Sequence, residues 1–241
     1  MEALKAALAA IHKSMPRRVV VLTGAGISAE SGIPTFRGDA GLWRNYRVED
    51  LATPEAFARN PLLVWEWYEW RRSLVREAQP NAAHLAIASL PDALVVTQNV
   101  DGLHHKAGSR DVIELHGNVF RTRCVRERTV RDAPAPLGPL PPHCECGALL
   151  RPDIVWFGEM LPEGAFERAG RAVRDADLLL VIGTSGVVFP AAGLVSMHRG
   201  LSIEINPNPS AVSSACSYAV AAKAADATPP IVEAIRESTV G

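Results

Sequence analysis

The sequence predicts an α/β fold: a Rossmann-like parallel sheet with helices on both faces, carrying a smaller inserted domain. Three observations predict it. β-Branched and aliphatic runs alternate with stretches of helical apolar spacing, the arrangement of a parallel sheet covered on both sides. The first run, Val19 to Leu22, passes into Gly24-Ala25-Gly26-Ile27-Ser28-Ala29, which fits the glycine turn G-x-G-x-x-G/A. Two stretches, 38–80 and 120–153, interrupt the alternation and differ from it in composition.

Taken in order, residues 1–18 carry apolar residues at helical spacing broken by charges, unlike the basic, apolar and small-residue zones of a signal peptide. After the first strand, the runs ALVVTQN (93–99), DVIELHGN (111–118), DLLLVIGTS (177–185) and LSIEINP (201–207) read as further strands. Polar residues gather where these runs end: Gln98, Asn99 and Asp101, then His116, then Thr184 and Ser185, then Asn206. In an open α/β sheet such ends line the ligand crevice. The stretch 38–80 is helical and aromatic, whereas 120–153 is rich in Pro and Arg and holds Cys124, Cys144 and Cys146. The expected division is therefore a sheet domain of 1–37, 81–119 and 154–241, with 38–80 and 120–153 forming the inserted domain.

At 241 residues and 48% hydrophobic composition the chain can bury a full core. Its 25 basic and 26 acidic residues leave a net charge of −1, so no bulk field favours nucleic acid or an anionic membrane. No apolar run approaches membrane-spanning length. Three of the four cysteines lie within one short stretch, which suits a cytosolic metal site better than a disulfide framework. A cytoplasmic monomer is expected.

The glycine turn alone is ambiguous, since a tight strand-to-helix turn without a ligand would look the same. An ordinary dinucleotide fingerprint also expects an acidic residue about 20 positions on, at the end of a second strand. That distance falls between Trp43 and Glu49, with no strand before it. The loop instead runs on as Gly32-Ile33-Pro34-Thr35-Phe36-Arg37, long enough to lie against a cofactor. This is not the pattern of a standard dehydrogenase.

Eight motifs, in this order, resemble those of the sirtuins, a family of NAD-dependent protein-lysine deacylases: GAGIS (24–28), GIPTFR (32–37), PNAAH (80–84), TQNVDGLHHKAGS (97–109), ELHGN (114–118), RPDIVWFGE (151–159), GTS (183–185) and INP (205–207). The resemblance implies that the acyl oxygen of a modified lysine attacks the nicotinamide ribose, nicotinamide leaves, and the acyl group ends on ADP-ribose. It also implies roles for individual residues. His116 is the expected base, with Asn99 and Asp101 holding ribose and carboxamide and Gln98 beside them. Gly24, Ala25, Gly26, Ile27, Ser28, Ile33, Phe36, Arg37, Trp43, Val100, Gly183, Thr184, Ser185, Asn206 and Ala225 complete the expected NAD contacts. Val155, Trp156, Phe157, Gly158 and Glu159 resemble the strand that pairs with the substrate backbone, a mode that tolerates many peptide sequences. His104 is expected to be structural, His105 to lie on the surface, and Cys216 to lie in the core.

Two further expectations concern specificity and metal. Tyr68 and Arg71 stand three apart on a helix and project to one face. Their spacing is similar to the Tyr-x-x-Arg pair of the sirtuin branch that removes negatively charged acyl groups, where a guanidinium grips the carboxylate and a phenol adds a second bond. A solvated helix face is the other reading. A full zinc ribbon would show C-x2-C twice, about 15–20 residues apart. Here Cys124 is followed by Glu127, and the second cluster is His143-Cys144-Glu145-Cys146. Three readings stay open: zinc held by Cys124, Cys144, Cys146 and His143, zinc held by an irregular set with Glu127, and a metal-free module held by packing. The competing functions on the same scaffold are an NAD-dependent ADP-ribosyltransferase or NAD hydrolase, and a non-catalytic NAD-sensing module.

Overall fold

The computed structural model describes residues 2–34, 46, 48–133 and 136–239. Helix α1 (Glu2–Ser14) leads into β1 (Val19–Thr23) and a 3-10 helix, Ala25–Ser31. Short helices α2 (Val48–Leu51) and α3 (Pro54–Arg59) precede the long α4 (Pro61–Glu77) and α5 (Ala82–Ala88). Then come β2 (Leu94–Thr97), α6 (Leu103–Ala107), β3 (Asp111–Glu114), β4 (Gly117–Cys124), β5 (Val130–Asp132) and β6 (Leu150–Ile154). The chain closes with α7 (Ala165–Asp175), β7 (Leu178–Ile182), α8 (Gly193–Met197), β8 (Leu201–Ile205), β9 (Tyr218–Val220) and α9 (Ala224–Thr239). Among the described residues no helix is long and apolar enough to cross a membrane.

Helix starts follow local chemistry. Thr53 caps α3 by accepting from the Ala56 N–H, with Pro54 supplying a preset φ at the first position. Asn60 and Pro61 repeat the device for α4. In α5, Asn81 accepts from Ala83 N–H while His84 Nδ1 receives the Asn81 N–H, so the cap is reciprocal.

The main sheet runs β3-β2-β1-β7-β8-β9 and its pairings are parallel. From β1 the chain builds outward to β2 and β3, then crosses over to β7 and builds the other way. A crevice therefore opens at the carboxyl ends of β1 and β7, where the winding reverses. Successive side chains of these strands enter opposite cores. Val19, Val21, Leu178 and Leu180 pack with α1, α5 and α9, whereas Val20, Leu22, Leu179 and Val181 pack with α7 and α8. Each fully buried aliphatic side chain contributes about 1.5–3 kcal/mol.

A three-stranded antiparallel sheet, β5-β4-β6, forms the second unit. Here the strand expected over 111–118 divides. Pairing with β2 ends where Leu115 N–H bonds Thr97 O. Gly117 then takes φ +81°, and a Cβ there would stand 2.0 Å from Asp153 O, so only glycine lets β4 turn out of the main sheet onto β6. Helix α4 lies beside this sheet, and Trp65, Trp67 and Tyr68 share a core with Val119, Ile154 and Trp156.

Arg72 ties the helix to the sheet. Its fully buried guanidinium donates to Val119 O and Ala133 O, both at 2.6 Å, and pairs with Glu69 one turn earlier. Replacing Arg72 by Met keeps the apolar stem and strands two carbonyls and a carboxylate. Unfolding in urea should show a loss of about 3–5 kcal/mol. A loss below about 1 kcal/mol, the worth of an exposed ion pair, would show the contacts to be dispensable.

Candidate functional site

The crevice is made by strand ends whose backbones touch. Gly24 N–H donates to Ile182 O at 3.0 Å and Gly26 N–H to Gly183 O at 2.8 Å. A Cβ on Gly24 or Gly26 would meet Gly183 or Thr184 backbone atoms at 2.7–2.9 Å, which forbids any side chain. This contact lays the 3-10 helix across the sheet, with Ala25 partly exposed and Ile27 and Ser28 buried.

Ser28 then organises the end of β2. Its hydroxyl donates to Asp101 Oδ2 at 2.7 Å and accepts from Asn99 Nδ2 at 3.2 Å, while the same amide donates to Gly24 O at 3.1 Å. Both amide hydrogens of Asn99 are thus spent, so its oxygen is what it has left to offer a ligand. Asp101 Oδ1 accepts the Leu103 N–H at 2.9 Å. Burial pushes the Asp101 carboxyl up; the Leu103 N–H, the Ser28 hydroxyl and the Arg71 guanidinium pull it back. The far side of the crevice is tied by Gln98 Nε2 to Thr184 Oγ1 (3.1 Å) and Asn206 Nδ2 to Thr184 O (2.8 Å). Ser185 O receives Ala211 N–H, Val100 O receives Val119 N–H, and Ile33 packs into the α4 core. Ala225, at the start of α9, donates its N–H to Glu30 Oε2 at the end of the 3-10 helix. Phe36, Arg37 and Trp43 lie outside the described residues.

His116 follows β3 and faces the same end. Its Nδ1 lies 2.9 Å from Gln98 O. A carbonyl only accepts, so Nδ1 carries the hydrogen and Nε2 keeps its lone pair. Burial lowers the ring's pKa, and the bond to Gln98 O partly restores it.

A model of the Sir2 family matches residues 24–190. An NAD-dependent protein deacylase 2 of Pyrobaculum aerophilum is 50% identical over 229 residues, covering 91% of this chain and 92% of its own. A Sir2 homologue solved in complex with NAD superposes with a TM-score of 0.90 at 46% identity, covering 96% of this chain and 94% of its own. A Sir2 homologue mutant in complex with 2'-O-acetyl ADP ribose also gives 0.90 at 46% identity, covering 96% of both chains. The chain belongs to the Sir2 family.

In this Sir2 protein Tyr68 and Arg71 do not form a solvated face, since they are 2% and 8% exposed. The Tyr68 oxygen accepts the Trp156 indole N–H at 2.8 Å, and Arg71 lies 5.5 Å over the Trp67 ring. Arg71 is also close enough to Asp101 for the two charges to support each other against desolvation. A strand over Val155–Glu159 is not formed. Strand β6 ends at Ile154, and the next residues turn, with Val155 N–H given to His116 O, Phe157 N–H to Ala52 O, and Gly158 at φ +84°. Phe157 is half exposed, and Glu159 holds Arg151 through two oxygens.

Sequence reasoning overlooked three supports. Asn81 Nδ2 reaches Ile27 O and Ser31 Oγ and so pins the 3-10 helix; its place in PNAAH, a capping pattern, was the available signal. Thr23 Oγ1 bonds Thr97 Oγ1, which receives the Asn99 N–H, and His104 Nε2 meets Thr23 from behind. His104 is accordingly structural, and His105 is exposed beside Glu114. Cys216 is half-buried rather than fully in the core.

The cysteine module corrects one ligand. His143 is exposed and stands outside the group that converges, which is Cys124, Glu127, Cys144 and Cys146 with ligand atoms within 4.8 Å of one another. Cys124 and Cys146 sulfurs are 3.6 Å apart, as are Cys144 Sγ and Glu127 Oε2. Thiolates ~2.3 Å from a tetrahedral zinc stand about 3.8 Å from each other, so these donors fit such an ion. Purified protein should carry close to one zinc per chain, and Glu127→Ala should weaken its retention against a chelator, with melting of β4–β6 at lower temperature. Metal-free protein with unaltered melting would remove the metal reading.

Proposed function

We propose that this Sir2 protein removes both acetyl and negatively charged acyl groups, succinyl and malonyl, from lysine side chains of proteins. The chain is an NAD-dependent protein deacylase. What supports the finer reading is one observation: Tyr68 and Arg71 lie buried together on α4, where a dehydrated phenol and guanidinium can meet an acyl carboxylate. The division of the chain into a sheet domain (1–37, 81–119, 154–241) and an inserted domain (38–80, 120–153) belongs to the same reading, supported by the two separate sheets, although the α4 core crosses these bounds to take in Ile33, Leu103, Val119, Ile154 and Trp156.

In this reading NAD, when bound, supplies the ribose carbon that is attacked and the ADP-ribose that receives the acyl group. The protein's residues do the rest. Asn99 offers its oxygen to the ribose side, held by Gly24 O and Ser28. Asp101, fixed by Ser28 and Leu103, holds the carboxamide. His116 Nε2 takes a hydroxyl proton, and the Gln98 carbonyl stabilises the imidazolium that forms. Gly24, Gly26, Gly183 and Thr184 let the dinucleotide lie close to backbone. Free nicotinamide with O-acyl-ADP-ribose as products, rather than ADP-ribosylated protein, separates this activity from its neighbours on the scaffold. The 2'-O-acetyl ADP ribose held by a structural neighbour is in keeping with it.

Because burial holds His116 below the usual 6.5, kcat/KM should rise with pH on the acid side and be flat by neutral pH. His116→Ala should cost about 10²–10⁴-fold and abolish that limb. Near-normal turnover with the limb intact would move the base elsewhere.

Arg71→Met should lower desuccinylation relative to deacetylation by more than about tenfold, since a desolvated charge pair is worth about 2–5 kcal/mol. Arg71 also steadies Asp101, so both activities drop somewhat and the ratio of kcat/KM values isolates the acyl carboxylate. An unchanged ratio would leave Arg71 with a purely structural task.

A further inference from the structure

We propose that Trp156 is a positioning residue for acyl selectivity: its indole N–H occupies one side of the Tyr68 oxygen and turns the phenol's own hydrogen toward the acyl pocket. The inference rests on the reading that Tyr68 and Arg71 receive the acyl carboxylate. Indole nitrogen only donates, so at 2.8 Å the Tyr68 oxygen is the acceptor. A phenol hydrogen prefers the plane of its ring and has two sides to choose from. With Trp156 on one side, the hydrogen goes to the other. Both residues are 2% exposed, so no bulk water competes for either position. A hydroxyl that accepts one hydrogen bond also donates a stronger one.

Trp156 is itself held by its own turn. Its backbone N–H bonds Glu159 Oε2 at 2.9 Å, Glu159 grips Arg151 at 2.6 and 2.8 Å, and the Arg151 guanidinium lies 3.5 Å over the indole. Phe57 closes the other approach at 5.3 Å between ring centroids. Phe at position 156 would fill the same space and could not donate. The tryptophan nitrogen, rather than its bulk, is what selectivity uses.

The test compares W156F, and the full-length protein carrying benzothienylalanine at 156, with wild type. In the second variant sulfur replaces the N–H at nearly unchanged shape, which keeps the test informative if W156F folds poorly. The readout is the ratio of kcat/KM for succinyl-lysine and acetyl-lysine versions of one peptide. The ratio should fall about three- to tenfold, the worth of one hydrogen bond, through KM for the succinyl peptide. In a Y68F background the same changes at 156 should leave the ratio where Y68F put it. If Y68F lowers the ratio and the benzothienyl variant does not, the positioning role of Trp156 is overturned while the acyl-pocket reading stands. If Y68F itself leaves the ratio unchanged, the acyl-pocket reading falls and the positioning role with it.

Discussion

Everything at the crevice hangs on a contact without side chains. Gly26 and Gly183 touch through backbone, the second at φ +63° with a would-be Cβ only 2.3 Å from Ile27 N. A methyl group at either place would lift the 3-10 helix from the sheet. That helix carries Ser28, and among the described residues Ser28 is the one hydroxyl that reaches both Asn99 and Asp101. The glycine turn therefore does two things. It lets two backbones pack in contact, and it sets the angle at which Ser28 meets the β2 residues.

Placement in a dry pocket then decides which charges the site can hold. Asp101 and Arg71 are each disfavoured by burial and each favoured by the other, so removing either leaves a costly remainder. The histidines behind the crevice stay out of this balance. His84 and His104, rings 4.9 Å apart, are pushed by burial down to about 4 and about 3, so they are neutral at neutral pH and add packing without field. His116 is less buried than they are, and its Nδ1 hydrogen goes to the Gln98 carbonyl.

The main sheet was legible because burial on both faces demands unbroken aliphatic runs, and Val19–Thr23 and Leu178–Ile182 are such runs. The strand ends were legible for a related reason: polar residues directly after a buried strand need partners or a ligand. The division at Gly117 was not. Alternation continues from Val112 to Phe120 as though one strand ran through, and the demand for glycine comes from Asp153 O, 36 residues away. The three-residue β9 is too short to leave a period. Spacing also could not choose between His143 and Glu127, since both are near enough in sequence and only the turn after Cys124 decides. The Tyr68 to Trp156 bond spans 88 residues and has no local trace at all.

Under the proposed function, the layout would make acyl preference and NAD binding separate properties of one chain. Tyr68 belongs to α4, which is anchored by Arg72 to Val119 O and Ala133 O and shares its core with Ile154 and Trp156. The residues proposed to meet NAD hang instead on the ends of β1, β2, β7 and β8. Tyr68 packs within the α4 core and is linked to the Val155–Glu159 turn through the Trp156 indole. Arg71 is different, because its charge reaches Asp101 across the boundary. In the proposed reading the phenol would therefore serve the acyl group, whereas the guanidinium would serve both the Asp101 carboxylate and the one it recognises.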